Sequence, residues 1–247
     1  MIGIVIQARM GSSRLPGKVL KKINDMTILE YQLDRIKGSK RYQKIIVATS
    51  SNKIDDPIEL LCKKKKISYF RGSEDDVLAR YYECAKFFQL DTIVRLTADC
   101  PFSDPDIIDD VIDHFYKNNS DYCSNTVPPE TSTWPDGSDV EVFSFNALER
   151  AHFESTSSEE REHVTFFFWK NKKNNFKISQ LKNADDWSDY RFTIDYPEDY
   201  KASLLLHDEI ETRNIFGHLA EIISILKDRP DIKNLNEKYY FGVGWNQ

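Results

Sequence analysis

The sequence predicts an α/β fold, with a mostly parallel sheet flanked by helices and a small inserted subregion in the second half. Three observations predict it. Short β-branched apolar runs recur at Ile2 to Ile6, Ile45 to Ala48, Ile67 to Phe70 and Thr92 to Leu96. Helical patterns with recognisable starts separate these runs, which is the spacing of βαβ units. The chain of 247 residues, 40% hydrophobic and 13% aromatic, has material for one sizeable core and is not of disordered composition.

The helix starts are local and specific. Thr27-Ile28-Leu29-Glu30 has the capping-box form and opens a helix towards Gly38. Asp56-Pro57 and Asp104-Pro105 each place proline at the start of a helix, where its missing N–H costs nothing. Between them, Val77, Leu78, Tyr81, Tyr82, Ala85 and Phe88 recur at helical spacing. In an open parallel sheet, ligands bind beyond the carboxyl ends of the strands. The loops after Ile6, Val47, Phe70 and Leu96 are therefore where function is expected.

The second half is less regular. Residues 125–138 hold Pro128, Pro129, Pro135 and Gly137 and read as a long loop or flap. Val140 to Phe143 alternates like a half-buried strand, while Phe176 to Leu181 and Tyr190 to Ile194 also read as strands. Ser157 to Glu160 caps a helix that leads into the aromatic stretch Phe166 to Trp169, either core or interface. Pro197 opens a helix through Leu206, and a last helical pattern runs from Ile215 to Leu226. A single domain over residues 1–247 is expected, with one half near 1–120 and the other near 121–230.

Charge and cysteine usage exclude other classes. The balance of 34 Lys+Arg against 40 Asp+Glu leaves a net −6, the opposite of the basic field a nucleic-acid binder presents. Cys62, Cys84, Cys100 and Cys123 form no C-x-x-C pair, so they read as reduced thiols in a cytoplasmic protein rather than zinc ligands. No run approaches the ~20 apolar residues of a membrane span, so no membrane partner is expected.

The segment Gln7-Ala8-Arg9-Met10-Gly11-Ser12-Ser13-Arg14-Leu15-Pro16-Gly17-Lys18 directly follows the first strand and concentrates cations, hydroxyls and glycines. Glycine and serine let a backbone curl until several N–H groups face one anion. Arginine forks and a lysine then complete a polyphosphate cradle. It is not a Walker A loop: five residues rather than four separate Gly11 from Gly17, and Val19 replaces the magnesium-binding hydroxyl. Two further segments, Val94 to Pro101 and Arg191 to Asp199, each deliver a carboxylate (Asp99, Asp195) just past a strand. Taken singly, either aspartate also reads as a helix N-cap. Together with a phosphate loop they make the donor set of a magnesium–nucleotide site.

The segments Q-A-R-M-G-S-S-R-L-P-G-K, V-R-L-T-A-D-C-P, D-G-S-D-V-E-V-F, R-E-H-V-T and R-F-T-I-D-Y-P-E-D occur in this order. In them the chain resembles the spore-coat-polysaccharide-type cytidylyltransferases, relatives of the CMP-Kdo and CMP-sialate synthetases. The resemblance implies a Rossmann-like nucleotidyltransferase fold that uses CTP and Mg2+ to make a CMP-activated sugar or sugar acid, releasing pyrophosphate. It implies that Ala8, Arg9, Gly11, Ser12, Ser13, Arg14 and Lys18 hold the nucleotide, with Arg71, Gly72, Ser73 and Arg95 near it. Asp99 and Asp195 would be the metal ligands, and with Arg9, Arg14 and Lys18 the catalytic set. Asp136, Asp139, Glu141, Arg161, Glu162 and His163 would line the acceptor side, Asp139 and Glu141 sharing one strand face. Ala98 stands where many members carry glycine, and relatives imply a homodimer. The alternatives are a nucleotide-sugar glycosyltransferase using Asp104-Pro105-Asp106 as a D-x-D metal motif, or a non-catalytic nucleotide-binding module.

Overall fold

A computed structural model describes residues 1–170 and 175–239. Strand β1 (Ile2–Gln7) leads through the hairpin β2 (Lys22–Ile23) and β3 (Met26–Thr27) into α1 (Ile28–Ile36). Strict alternation follows: β4 (Lys44–Ser50), α2 (Asp56–Lys65), β5 (Ser68–Gly72), α3 (Val77–Phe87), β6 (Thr92–Thr97), α4 (Pro105–Lys117). The second half continues with β7 (Tyr122–Ser124), β8 (Glu141–Ser144), α5 (Phe145–Glu154), α6 (Ser158–His163) and α7 (Phe166–Trp169). It ends with β9 (Ile178–Gln180), α8 (Pro197–Arg213), α9 (Leu219–Asp228) and α10 (Pro230–Lys233).

Among the described residues the main sheet has the order β5-β4-β1-β6-β8-β7-β9. Only β8 runs against the others: it is antiparallel to both β6 and β7, while the remaining pairs are parallel. The chain leaves β1 towards β4 and β5, then returns to β6 on β1's other side. That reversal opens a crevice beyond the carboxyl ends of β1 and β6. There Gln7 lies in register with Ala48 and Thr97. Successive strand residues feed opposite layers. Ile4, Ile6, Val94 and Leu96 pack with α1, α4, α8 and α9. Val5, Ile46, Ala48 and Ile93 pack with α3, α5 and α7.

Local signals survive folding. Thr27 and Glu30 form the reciprocal capping box, at 3.1 and 2.8 Å. Asp104 accepts the Asp106 amide at 3.0 Å and caps α4. Helix α2 begins with Asp56, so Pro57 is its second residue. The aromatic stretch at α7 is core: Phe166, Phe167 and Phe168 are all buried within the chain. All four cysteines are buried and unpaired, and burial pushes the Cys62 and Cys84 thiols up to about 12. Among the described residues no helix is long and apolar enough to cross a membrane.

Residues 190–194 depart from the expected strand. They form a single parallel bridge, Asp136 with Arg191, because their amides serve two different partners. Phe192 donates to the Asp136 carbonyl at 2.8 Å and Ile194 to the Asp99 carbonyl at 2.8 Å. Strand β8 is likewise not half-buried, since Glu141 to Phe143 are covered on both faces. Gly137 turns the preceding loop at φ +110, and a Cβ there would sit 2.6 Å from the Thr193 nitrogen and 2.9 Å from the Phe192 carbonyl carbon. Both obstacles are backbone and cannot swing away. Gly137→Ala should therefore cost at least about 2 kcal/mol, read by calorimetry as a lowered Tm. An unchanged Tm would mean that this turn is not seated against residues 192–193.

Candidate active site

Gly17, in the left-handed region at φ +68, folds the segment after β1 back on itself. Ser12 and Gly17 both donate to the Met10 carbonyl at 3.0 Å, and the Ser12 hydroxyl accepts from Leu15. Met10 in turn donates to Asp55 at 2.7 Å, which ties the segment to the loop after β4. These bonds leave the amides of Gly11, Ser13 and Arg14 without an intramolecular partner among the described residues. Arg9 also forms no ion pair among them, and it lines two cavities. Free amides beside a free guanidinium are what an anion requires.

The turn at Gly17 drives Lys18 into the crevice, where its ammonium donates to three oxygens. These are Asp99 Oδ2 at 2.8 Å, Asp195 Oδ1 at 2.9 Å and the Ile194 carbonyl at 2.8 Å. The two aspartates, 96 positions apart in sequence (195 − 99), thus converge on one cation. Arg14 adds a second positive contact to Asp195 at 3.0 Å and stacks over Tyr196. Burial alone would raise the Asp99 pKa, but Lys18 outweighs it and holds the carboxyl at about 2. Burial works against the Lys18 charge as well, and the two aspartates reverse that and raise its pKa. A smaller cavity of about 190 Å³ lies between this cluster and Gly11, Ser12 and Ser13.

A larger cavity of about 290 Å³ is lined by the same two aspartates. Asp136, Asp139, Glu141, Glu162 and His163 line it. Glu141 is held by Arg95 and by the Tyr122 hydroxyl at 2.5 Å, and Arg95 also reaches Gln7 at 3.3 Å. Asp139 accepts from Thr126 at 2.8 Å and from the Gly137 amide at 2.9 Å. Burial, with Glu141 and Asp99 nearby, nonetheless raises its pKa to about 6. His163 stacks on Phe166, and burial lowers its pKa.

Some expected residues stand elsewhere. Arg161 lines neither cavity: its guanidinium grips Asp76 at 2.6 Å and the carbonyls of His152 and Ser155, pinning α6 to the start of α3. Arg71 is spent on Asp56, Glu59 and the carbonyls of Ser50 and Asn52. Ala8 is buried and donates to Ala48, Gly72 packs against Arg80, and the Ser73 hydroxyl accepts from the Asp76 amide. The D-x-D pair lies outside both cavities: Asp104 accepts the Leu219 amide at 2.8 Å and meets His218 at 3.1 Å, and with Asp106 and His218 it forms a carboxylate–imidazole group of metal-ligand type. Sequence reasoning passed over Arg191, whose side chain binds Asp136, Asp195 and Asp199 together. Its four-residue spacing from Asp195 was the available signal.

The donor set suits a hard divalent cation. Magnesium takes one or two carboxylates and completes its shell with phosphate and water oxygens. Asp99 and Asp195, already drawn together on one ammonium, offer that pair beside the phosphate-type loop.

Comparisons with known proteins bear on the family and the fold. Residues 3–227 match the model of the Cytidylyltransferase family. An uncharacterised protein of Methanocaldococcus jannaschii is 41% identical over 238 residues, covering 96% of this chain and 94% of its own length. The spore coat polysaccharide biosynthesis protein SpsF of Bacillus subtilis is 33% identical, covering 92% of this chain and 94% of its own. A solved cytidylyltransferase of Leptospira borgpetersenii superposes with a TM-score of 0.87 at 37% identity, over 94% of this chain and 97% of its own. With a mostly parallel nucleotidyltransferase-type sheet and a match spanning most of its length, the chain is a nucleotidyltransferase enzyme that belongs to the cytidylyltransferase family.

Proposed function

We propose that this enzyme takes CTP and a polyhydroxylated acceptor, a sugar or sugar acid of surface polysaccharide, and joins CMP to it with release of pyrophosphate. The observation that carries the reading is the meeting of Asp99 and Asp195 on one cation between two cavities. The smaller cavity has the free amides and Arg9 for a triphosphate, and the larger has the hydrogen-bonding groups for hydroxyls. The likeness to SpsF, a spore coat polysaccharide protein, supports the acceptor class.

In this reading an acceptor oxygen attacks the α-phosphorus, the new P–O bond forms, and the bond to the β-phosphate oxygen breaks. Arg9, Arg14 and the amides of Gly11 and Ser13 bind the charge that moves onto pyrophosphate, with little reorganisation. Lys18 keeps Asp99 ionised and draws both aspartates towards the α-phosphate. Asp99 and Asp195 would hold Mg2+, which when bound neutralises phosphate charge. Asp139, Glu141 and Asp136 orient the acceptor by accepting from its hydroxyls, with Arg191 fixing Asp136, Arg95 fixing Glu141, and Thr126 and the Gly137 amide fixing Asp139.

Asp99→Asn should cut pyrophosphate release by ~100-fold or more while the circular dichroism spectrum stays native. Near-normal release would remove the assignment. Chelation by EDTA should abolish release from CTP plus acceptor, and added Mg2+ should restore it; turnover that survives chelation would exclude a metal on these aspartates. A homodimer belongs to the same proposal, since Phe87 on α3 and Phe153 on α5 expose apolar surface on adjoining helices. Sedimentation velocity should return twice the chain mass of 28.9 kDa, and a monomer at micromolar concentration would refute the pairing.

A further inference from the structure

Past α9 and α10 the chain returns to the candidate active site. Residues 234–239 lie beyond the stretch that matches the family, which ends at residue 227. Asn236 is 2% exposed, and its side-chain amide donates to Asp199 Oδ1 at 2.8 Å. Three residues on, the Tyr239 ring lies parallel to the Tyr196 ring, with centroids 3.8 Å apart. Its hydroxyl donates to Glu198 at 3.3 Å. Arg14 sits over the same Tyr196 at 5.1 Å. Apolar packing holds the segment down, since Ile232 is buried and Leu235 packs against the core.

Asp199 is where this segment acts on the site. It is fully buried, and a buried carboxylate needs donors in place of the water it has lost. Its Oδ2 accepts the amides of Asp195 and Tyr196 and Arg191 Nη2, each at 2.9 Å. Its Oδ1 accepts Arg191 Nε at 3.0 Å and the Asn236 amide. Among the described residues, Asn236 is therefore the one donor on Asp199 from outside residues 191–196. The other four come from the stretch that carries Asp195. The Asn236 side chain also faces the Arg191 carbonyl at 3.5 Å, so it meets both ends of that stretch. Without it, Oδ1 keeps only the Arg191 donor, and the carboxylate is free to turn towards the guanidinium. The bond from the Asp195 amide to Oδ2 would turn with it.

We propose that Asn236 is a positioning residue: by fixing the Asp199 carboxylate it sets where Asp195 stands towards a divalent cation shared with Asp99. The proposal rests on the metal reading above and deepens it. Partners behind a metal ligand orient it, and losing one costs about 10- to 100-fold in metal affinity. An asparagine suits the task, because its amide supplies donors without adding charge to a cluster in which Arg191 and Lys18 already answer the aspartates.

The test is titration of Mn2+, followed by electron paramagnetic resonance, on the full chain saturated with CTP, beside CTP binding in EDTA. Neither measurement needs an acceptor. The wild type should bind Mn2+, and Asp99→Asn should remove that binding. Asn236→Leu, similar in size but without donors, should weaken Mn2+ binding about 10-fold and leave CTP binding in EDTA unchanged. Lys238→Ala breaks an exposed ion pair with Glu198 in the same segment and should move neither affinity. Should Asn236→Leu fail to fold, Asn236→Ala is measured in its place and the same comparison decides. A merely structural Asn236 would lower the Tm and shift both affinities alike, and that result overturns the proposal. So does an Mn2+ affinity that is unchanged in the folded variant, or weakened equally by Lys238→Ala; in each case the metal reading stands. A wild type without an Mn2+ site that depends on Asp99 overturns both.

Discussion

Lys18 comes from the loop after β1, Asp99 from the end of β6, and Asp195 from the turn before α8, and the three meet at one ammonium. Lys18 is taken out of water only because the two half-buried aspartates are there. Opposite charges within hydrogen-bond reach offset desolvation that none of them would sustain alone. The rest of the site is arranged around this point. The cavity bearing Gly11, Ser12 and Ser13 and the cavity bearing Asp139 and Glu141 both adjoin it, and Arg9 lines both. A buried ion pair of this kind contributes little net stability compared with apolar packing, so its value is positional.

The second half of the chain repeats the device with the charges reversed. Arg191 gathers Asp136, Asp195 and Asp199, and Asp199 also accepts the amides of Asp195 and Tyr196. Burial opposes the Arg191 charge, and the three carboxylates outweigh it. Asp195 belongs to both networks, so the two are mechanically one. The irregular backbone at 190–194 follows from this, because amides shared between Asp136 and Asp99 cannot also build a ladder. The covered faces of β8 follow too, since Glu141 is drawn inward by Arg95 and Tyr122.

Local physics made much of this legible in the chain. The capping box at Thr27, the prolines at helix starts and the four β-branched runs depend on neighbours within a few positions, and each stands where its pattern places it. The glycine- and arginine-bearing segment after β1 was legible for a related reason, since its turn chemistry and its place after a strand are both local. Arg71 and Arg161 were not. Each is a cation near a site motif, and each is consumed by carboxylates and carbonyls brought in from other helices. Sequence order carries no record of which acceptor an arginine will find.

By itself the sequence determined the strands and helices of the first half, the parallel β-α order and the supply of phosphate-type and metal-type groups, because these follow from period, capping and turn preference. Only the tertiary structure decided which charges meet. It brought Asp99 and Asp195 onto Lys18 and diverted Arg161 to α3. Pairing of this kind depends on distances through space and on the loss of water around each charge, and neither is a function of position along the chain.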